Sequence, residues 1–234
     1  MDMVAGVRGA IADRAGAWDF IRAYAAEWSA APLGAGDGCG AEEIAAAEER
    51  LGLRLPAALK EAYALLGRRP DLTDNHDVLR PLAELELDEA GEALVFRDEN
   101  QGACRWGIPL AEAGLDDPPV VIRPDLLDKA EERWEPWLGR VSHCFVEIVL
   151  AESVHVPEEL SAFLDGTAAD EVEAAGGFVR LPFPDYPPGD TEPTRWYAGP
   201  DALVRSEGVS YLRARTEEAL DRTLDLFLGP EEED

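Results

Sequence analysis

Apolar residues in the first part of the chain recur at the spacing of amphipathic helices. Ile11, Trp18, Ile21, Ala25 and Trp28 predict one helix over residues 10–30. The glycine-rich residues that follow, up to position 40, are typical of a flexible link. We therefore expect an N-terminal amphipathic helix, with its link, over residues 1–38.

A pair of shorter helices follows the link. The pattern over residues 41–51 predicts a helix that ends at Gly52, and Pro56 fits the first position of the next helix, which ends at Gly67. The connection between them is short, so they form an αα-hairpin with one apolar face. That face carries Ile44, Ala47, Leu51, Leu59, Tyr63 and Leu66.

The period then changes to the alternation of β-strands. Residues 94–108 alternate on either side of the turn sequence Asn100-Gln101-Gly102 and predict a β-hairpin. Residues 119–122 predict another strand, and Pro136 places residues 134–138 at a sheet edge. Residues 141–150 fit a strand or a helix, and we favour a helix. We expect the two hairpins to share one core formed by Leu51, Leu59, Tyr63, Leu66, Phe96 and Trp106.

The C-terminal third is interrupted by glycine and proline. Residues 166–193 predict a long surface loop with little regular structure. Strands are expected at 196–197, 202–205 and 209–213, and a last helix after Thr216 that Gly229-Pro230 ends. The sequence thus predicts a main domain over residues 39–229 and an acidic tail over residues 230–234.

The charge balance restricts the class of partner. The chain has 234 residues, with 21 Lys and Arg against 49 Asp and Glu, a formal net charge of −28. A surface this negative repels phosphate backbones and anionic membranes, so we expect neither nucleic-acid nor membrane binding. The first residues show no secretion signal, and the three cysteines show no CxxC spacing. These features predict a cytoplasmic protein with reduced thiols.

A motif in the αα-hairpin resembles a known family. Residues 42–67 contain the run Glu48-Glu49-Arg50-Leu51-Gly52-Leu53-Arg54-Leu55-Pro56, and then Leu59, Tyr63 and Leu66-Gly67. This pattern is similar to the N-terminal signature of the SUKH superfamily, the Smi/Knr-like domain, and residues 94–102 look like its following sheet segment. The match covers roughly residues 41–125.

The resemblance implies an α+β fold, in which helices pack against a mixed, largely antiparallel β-sheet. Bacterial SUKH members are similar to immunity proteins that neutralise polymorphic toxins, many of them nucleases, and other members are non-enzymatic interaction modules. The family has no agreed catalytic motif to carry over. The N-terminal helix and the proline-rich stretch depart from its shorter members.

Residues with chemical potential lack the spacing that catalysis or metal binding needs. Asp74-Asn75-His76-Asp77 fits a turn better than a metal site, and His143 with Glu147 lacks the second histidine of a zinc motif. His143-Cys144 are adjacent on a helix and point apart. We therefore predict no catalytic residue, no metal and no cofactor. An enzyme with an acidic pocket for a cationic substrate remains an open alternative.

The leading hypothesis is a non-enzymatic protein-binding domain, namely an immunity protein that neutralises a basic, nuclease-type toxin. The alternative is a regulatory scaffold with an endogenous protein partner. Carboxylates would steer the basic partner, and tryptophans at exposed edges would anchor it. The predicted partner-contact residues are Glu86, Asp88, Glu89, Asp98, Glu99, Asp116, Asp117, Trp134 and Trp137.

Overall fold

The computed structural model describes residues 1–165, 167–188 and 192–228 of the chain. The helices are α1 (Met3–Ala12), α2 (Arg14–Trp28), α3 (Ala41–Leu51), α4 (Ala57–Leu66), α5 (Pro70–Thr73), α6 (Val141–Ser153), α7 (Ala169–Ala175) and α8 (Glu217–Leu228). The strands are β1 (Val78–Leu79), β2 (Glu86–Leu87), β3 (Ala93–Asp98), β4 (Cys104–Pro109), β5 (Val120–Pro124), β6 (Glu135–Leu138), β7 (Ser161–Leu164), β8 (Val179–Arg180), β9 (Arg195–Gly199), β10 (Ala202–Ser206) and β11 (Ser210–Ala214).

The strands form two antiparallel sheets. The first has the order β1-β3-β4-β5-β6, with β2 also paired to β3, and the second has the order β7-β11-β10-β9-β8. The α+β class predicted from the sequence is confirmed. We expected one sheet, whereas the C-terminal strands pair among themselves and form a second one.

Helix α6 lies at the centre of the fold, and all of its residues, Val141–Ser153, are buried. It contacts α1, α2, α4 and α5. Its Phe145 ring stacks on Phe96 of the first sheet at 6.1 Å between ring centroids and meets the edge of Tyr63 of α4 at 6.3 Å. Phe145 of this helix therefore packs against both α4 and β3, and the helical prediction for this segment is confirmed.

The N-terminal segment forms two helices rather than the single predicted one. Asp13 lies between them and caps α2 by accepting a hydrogen bond from the Gly16 N–H. The helices cross so closely that a Cβ at Gly16 would lie 2.2 Å from the Gly9 carbonyl oxygen. Trp18 and Tyr24 of α2 are buried against the rest of the core. The segment is thus integral to the fold.

The two predicted hairpins are present. Gly52 ends α3 in the left-handed conformation that favours glycine, at φ 68°. Strands β3 and β4 pair with Leu94 opposite Ile108. Five of the six expected core side chains are buried. Leu51 is the exception, because it is only partly buried at the margin of the core.

The prediction of a long surface loop over residues 166–193, either mobile or laid over the body, is wrong in part, although no helix or strand runs through residues 182–188. It contains α7 and β8, and the side chains of Leu181, Phe183 and Tyr186 are buried in the main core. Proline removes backbone donors but leaves neighbouring apolar side chains free to pack, so composition misled here. Positions 166 and 189–191 lie outside the described residues.

The two faces of the second sheet serve different cores. Trp196 and Leu203 point into the main core, whereas Leu164, Val204 and Leu212 pack with α7 and α8 on the opposite face. The predicted stop at Gly229-Pro230 and the acidic tail fall outside the described residues. Among the helices that the structure describes, none has the length and apolar content needed to cross a membrane.

Replacing Leu59 with alanine should lower the free energy of unfolding by about 2–5 kcal/mol, because the side chain is fully buried and its removal leaves a cavity. Urea unfolding followed by tryptophan fluorescence measures this loss. The exposed Leu226 provides the control, since L226A should change stability by only about 0.5 kcal/mol. Equal effects of the two variants would contradict the assigned core.

Candidate functional site

A cluster of buried charges joins the first sheet to α6. Arg97 of β3 is only 1% exposed and forms ion pairs with Asp77, Glu147 and Glu152 at 3.0, 3.0 and 2.8 Å. The guanidinium carbon also lies 4.6 Å from the centre of the Trp106 ring, on β4. One arginine thus holds three carboxylates, two of them from the central helix.

Glu152 binds the backbone of the segment that precedes β1. Its carboxylate accepts hydrogen bonds from the backbone N–H groups of Asn75, His76 and Asp77, at 2.7, 2.6 and 3.2 Å. These bonds satisfy a charge that burial would otherwise destabilise. The polar run that starts at Asp74 is therefore a turn, as the sequence indicates, and the turn is built around a carboxylate of α6.

The cluster carries more negative than positive charge. Burial raises the pKa of Glu147, although the guanidinium groups of Arg97 and Arg205 act in the opposite direction. Burial raises the pKa of Asp77 in the same way, against the effect of Arg97. Burial alone would lower the pKa of Arg97, but Glu147, Glu152 and Asp77 raise it. The cluster is closed to solvent, so it fixes the packing of α6 and offers no place for a substrate.

Within the described ranges, the set His76, Asp77 and Glu99 has a spacing that would suit a metal ion, with one potential ligand atom from each residue within 4.8 Å of the others. Each of the three already has a partner. Asp77 pairs with Arg97, His76 Nδ1 lies 3.2 Å from the Asn100 amide, and Glu99 accepts two backbone N–H bonds in the β3–β4 turn. The turn and the buried cluster account for this arrangement.

The cysteines are not activated for nucleophilic chemistry. Burial raises the pKa of the Cys144 thiol, and the nearby Glu147 carboxylate acts in the same direction. Burial and the carboxylates of Asp77 and Glu99 raise the pKa of Cys104 to about 12. Because thiolate is the reactive form, both side chains remain unreactive thiols near neutral pH.

Most of the cationic side chains already lie next to a carboxylate of the same chain. In the part of the chain that the structure describes, a Lys or Arg side chain usually lies within 4.0 Å of a carboxylate. The exceptions are Arg8, Arg50, Arg105, Arg140 and Arg213. The excess of carboxylates is therefore expressed as unpaired acidic groups on the surface.

One surface combines such carboxylates with exposed apolar groups. A groove of about 560 Å³ lies between the α3–α4 connection, β2 and the loop after β4. Leu87 and Leu115 line it and are 37% and 52% exposed. We call this surface the edge groove. Asp116 belongs to its lining, and Glu84, Glu86, Glu89, Glu92 and Glu112 are exposed residues that are close to the lining in the sequence.

Backbone contacts hold the edge groove in shape. The Ala58 N–H at the start of α4 donates to the Asp116 carbonyl oxygen at 2.8 Å, and the Leu110 N–H donates to the Glu92 carbonyl oxygen at 2.8 Å. The two cations in the groove, Arg54 and Lys60, both contact Glu48. Among the described residues, Glu84, Glu89, Glu92 and Glu112 make no ion pair, so these carboxylates are available to a partner.

Three of the nine predicted partner-contact residues are exposed and lie in the lining of the edge groove or close to it in the sequence. Glu86 and Glu89 are exposed, although Glu86 also pairs with Arg80 at 2.7 Å. The Asp116 side chain is 84% exposed, with Arg14 4.0 Å away. The acidic run and the turn position in the sequence predict that these three side chains are exposed, and their contact with a partner stays a prediction.

Two further predicted contacts are tied to each other beneath this surface. Asp88 is buried, accepts the backbone N–H groups of Glu92 and Ala93, and binds the Trp134 indole N–H at 3.0 Å. Burial would raise the pKa of Asp88, but the hydrogen bonds, first from Trp134, hold it below its usual value. Trp134 lies over Gly107, where an added Cβ would come within 3.1 Å of its ring, a tight contact. The prediction that Asp88 is a surface contact is therefore wrong, because its side chain is buried. Trp134 is held against the sheet by this carboxylate.

The remaining four predicted contacts also have roles within the fold. Asp98 binds the Arg80 guanidinium through both oxygens, and Glu99 closes the β3–β4 turn. Asp117 accepts from the N–H and hydroxyl of Ser142 in the first turn of α6, where a carboxylate is stabilising. Trp137 packs between Trp106 and Tyr186. Sequence adjacency could not distinguish these internal partners from free surface groups.

Comparison with protein-family models, with curated proteins and with solved structures finds no match to this chain. The similarity to the SUKH superfamily therefore stays a prediction from the motif.

Replacing Arg97 with methionine should lower the free energy of unfolding by about 3–5 kcal/mol, because three buried carboxylates lose their common counter-ion. Urea unfolding at pH 7 measures the loss. The control is R133M, which removes an exposed pair with Glu135 and should cost no more than about 1 kcal/mol. Similar stability of R97M and R133M would show that the cluster is not a constraint on the fold.

Replacing Glu147 with glutamine should make stability less sensitive to pH. The pKa of Glu147 is raised in the folded protein. The contribution of this side chain to the free energy of unfolding is therefore fully present below its unfolded pKa of 4.5 and is lost as the pH rises through its folded pKa. E147Q lacks this titration and should gain stability relative to the wild type between pH 5 and pH 8. Unfolding curves at both pH values measure the difference, and a relative loss with rising pH would contradict the raised pKa.

Proposed function

We propose that this protein is a non-enzymatic binding domain whose edge groove receives a basic protein. The observation that carries the proposal is that the groove exposes Leu87 and Leu115, while Glu84, Glu89, Glu92 and Glu112, which are close to its lining in the sequence, are exposed and make no ion pair among the described residues. Apolar groups that are surrounded by charge and open to solvent are typical of a protein interface.

The two kinds of side chain contribute to different stages of binding. Carboxylates that have no partner within the chain attract a cationic surface over a distance and raise the association rate. Leu87 and Leu115 lose their contact with water only in the complex, so they slow dissociation. Unpaired carboxylates and exposed leucines therefore make complementary contributions to binding.

The similarity of residues 41–125 to the SUKH signature supports a more specific hypothesis. We propose an immunity protein that neutralises a basic, nuclease-type toxin in the cytoplasm by covering its nucleic-acid groove. The edge groove includes the Leu51–Ala57 connection, which carries the Leu-Gly-Leu-Arg-Leu-Pro part of the motif. The motif and the proposed contact surface therefore coincide.

The experiment uses the protein encoded by the neighbouring gene as partner. Binding is measured with purified proteins, and protection is measured by producing both proteins in bacterial cells. Binding with protection supports the immunity function. Binding to a partner that is not toxic supports the scaffold alternative instead, and no binding to a basic neighbouring product would contradict the immunity hypothesis.

Reversing two carboxylates of the edge groove, E89K with E112K, should reduce the association rate roughly tenfold or more at low salt. The reduction should shrink as salt is raised, because charges beyond about 8–10 Å are then screened. The control is E217K with D221K, which changes the net charge equally on α8, away from the groove. Association rates of both double variants are measured by stopped flow over a salt series. Equal effects of the two pairs would show that the association rate depends only on the total charge.

A further inference from the structure

A second cavity, unrelated to the edge groove, lies where α2 meets β11 and the end of α6. Its volume is about 380 Å³, and its lining includes Tyr24, Trp28, Asn75, Arg213 and Arg215. Leu72, Val156 and Pro157 form its apolar wall. The cavity is thus mostly apolar, with a few polar groups that point to one region, which is the usual composition of a small-molecule site.

Arg213 in this cavity is a buried charge without a counter-ion. Three arginines are buried in the described part of the chain, namely Arg69, Arg97 and Arg213. Arg69 and Arg97 are held in ion pairs, at 2.8 Å or slightly longer. Arg213 is 4% exposed, and its Nε and Nη1 have no hydrogen-bond partner among the described residues.

A buried, unpaired arginine destabilises the folded protein, because its guanidinium keeps its proton and therefore its charge. Burial lowers the pKa of Arg213, but a guanidinium still does not lose its proton near neutral pH. Leaving a buried cation unpaired is strongly destabilising. A chain with 49 Asp and Glu residues has many potential partners. The exposed Glu159 acts to raise the pKa of Arg213 but is too far from its guanidinium to form an ion pair.

The carboxylates that line the cavity are already occupied. Glu27 lies 3.8 Å from Arg215, and Asp71 binds Arg69 at 2.8 Å. Arg215 also pairs with Asp201 and lies 5.8 Å from the centre of the Trp28 ring. The Tyr24 hydroxyl contacts Ser153 at 2.5 Å. Arg213 is therefore the charged group of the lining that lacks an opposite charge.

We propose that this cavity binds a small organic carboxylate. The carboxylate pairs with the Arg213 guanidinium, whose planar fork matches its two oxygens. The apolar body of the ligand lies against Leu72, Val156 and Pro157. A cavity of 380 Å³ accommodates a molecule of the size of a substituted aromatic acid, and such a ligand would supply the missing counter-ion of the buried arginine.

Benzoate is the probe, and benzamide is its neutral counterpart of the same shape. Both are titrated into ¹⁵N-labelled protein up to 20 mM at constant ionic strength, and amide chemical shifts are followed. Benzoate should shift signals of residues around the cavity, with an affinity at least tenfold higher than that of benzamide. Inorganic phosphate, which lacks the apolar body, should bind at least tenfold more weakly than benzoate.

Arg213→Met should remove most benzoate binding, at least a tenfold loss of affinity, without lowering the urea midpoint, because methionine replaces an unpaired charge by an apolar chain. R222M removes the same charge from the surface of α8 and should bind benzoate like the wild type. If R213M does not fold, R213Q replaces it. Equal binding of benzoate and benzamide, or no benzoate binding by the wild type, would overturn the proposal.

Discussion

The ion pairs between Arg97 and the carboxylates of α6 are the constraint on which the rest of this structure depends. A helix buried on every side can carry Glu147 and Glu152 only if their charges are compensated inside the protein. Arg97 provides that compensation from β3, and the backbone N–H groups of residues 75–77 complete it at Glu152. The register of α6 against the first sheet, and the path of the chain into β1, follow from these bonds.

The same principle explains the difference between the interior and the surface. Inside, an unpaired charge is so unfavourable that nearly every buried ionic group has found a partner, and Arg213 is notable because it has not. Outside, water solvates a carboxylate at little cost, so the excess of acidic residues can remain unpaired around the edge groove. The excess of acidic residues in the composition thus appears as unpaired carboxylates near the edge groove.

Some of the predicted contact residues are exposed and others bind groups inside the protein, and the sequence does not show which are which. Glu89 and Asp116 have their carboxylates in solvent, whereas Asp88 and Asp117 use theirs to bind a turn and the start of a helix. All four are acidic residues in turn-rich segments, and their local patterns are alike. The difference arises from the donor groups that meet each carboxylate: Asp88 binds the turn that follows it and the distant Trp134, and Asp117 binds Ser142 at the start of α6.

The sequence by itself determined the elements that depend on local spacing. The helices of residues 41–67, the β3–β4 hairpin and the last helix follow from apolar periodicity, from Gly52 and from the turn at residues 100–102, because these signals act within a few residues. Only the tertiary structure decided that the strands form two sheets, that Tyr186 in a proline-rich stretch is buried, and that Arg97 meets Glu147 and Glu152. These contacts join residues 50 or more positions apart, or depend on what covers a segment. Their energies come from burial and charge compensation, which no local pattern records.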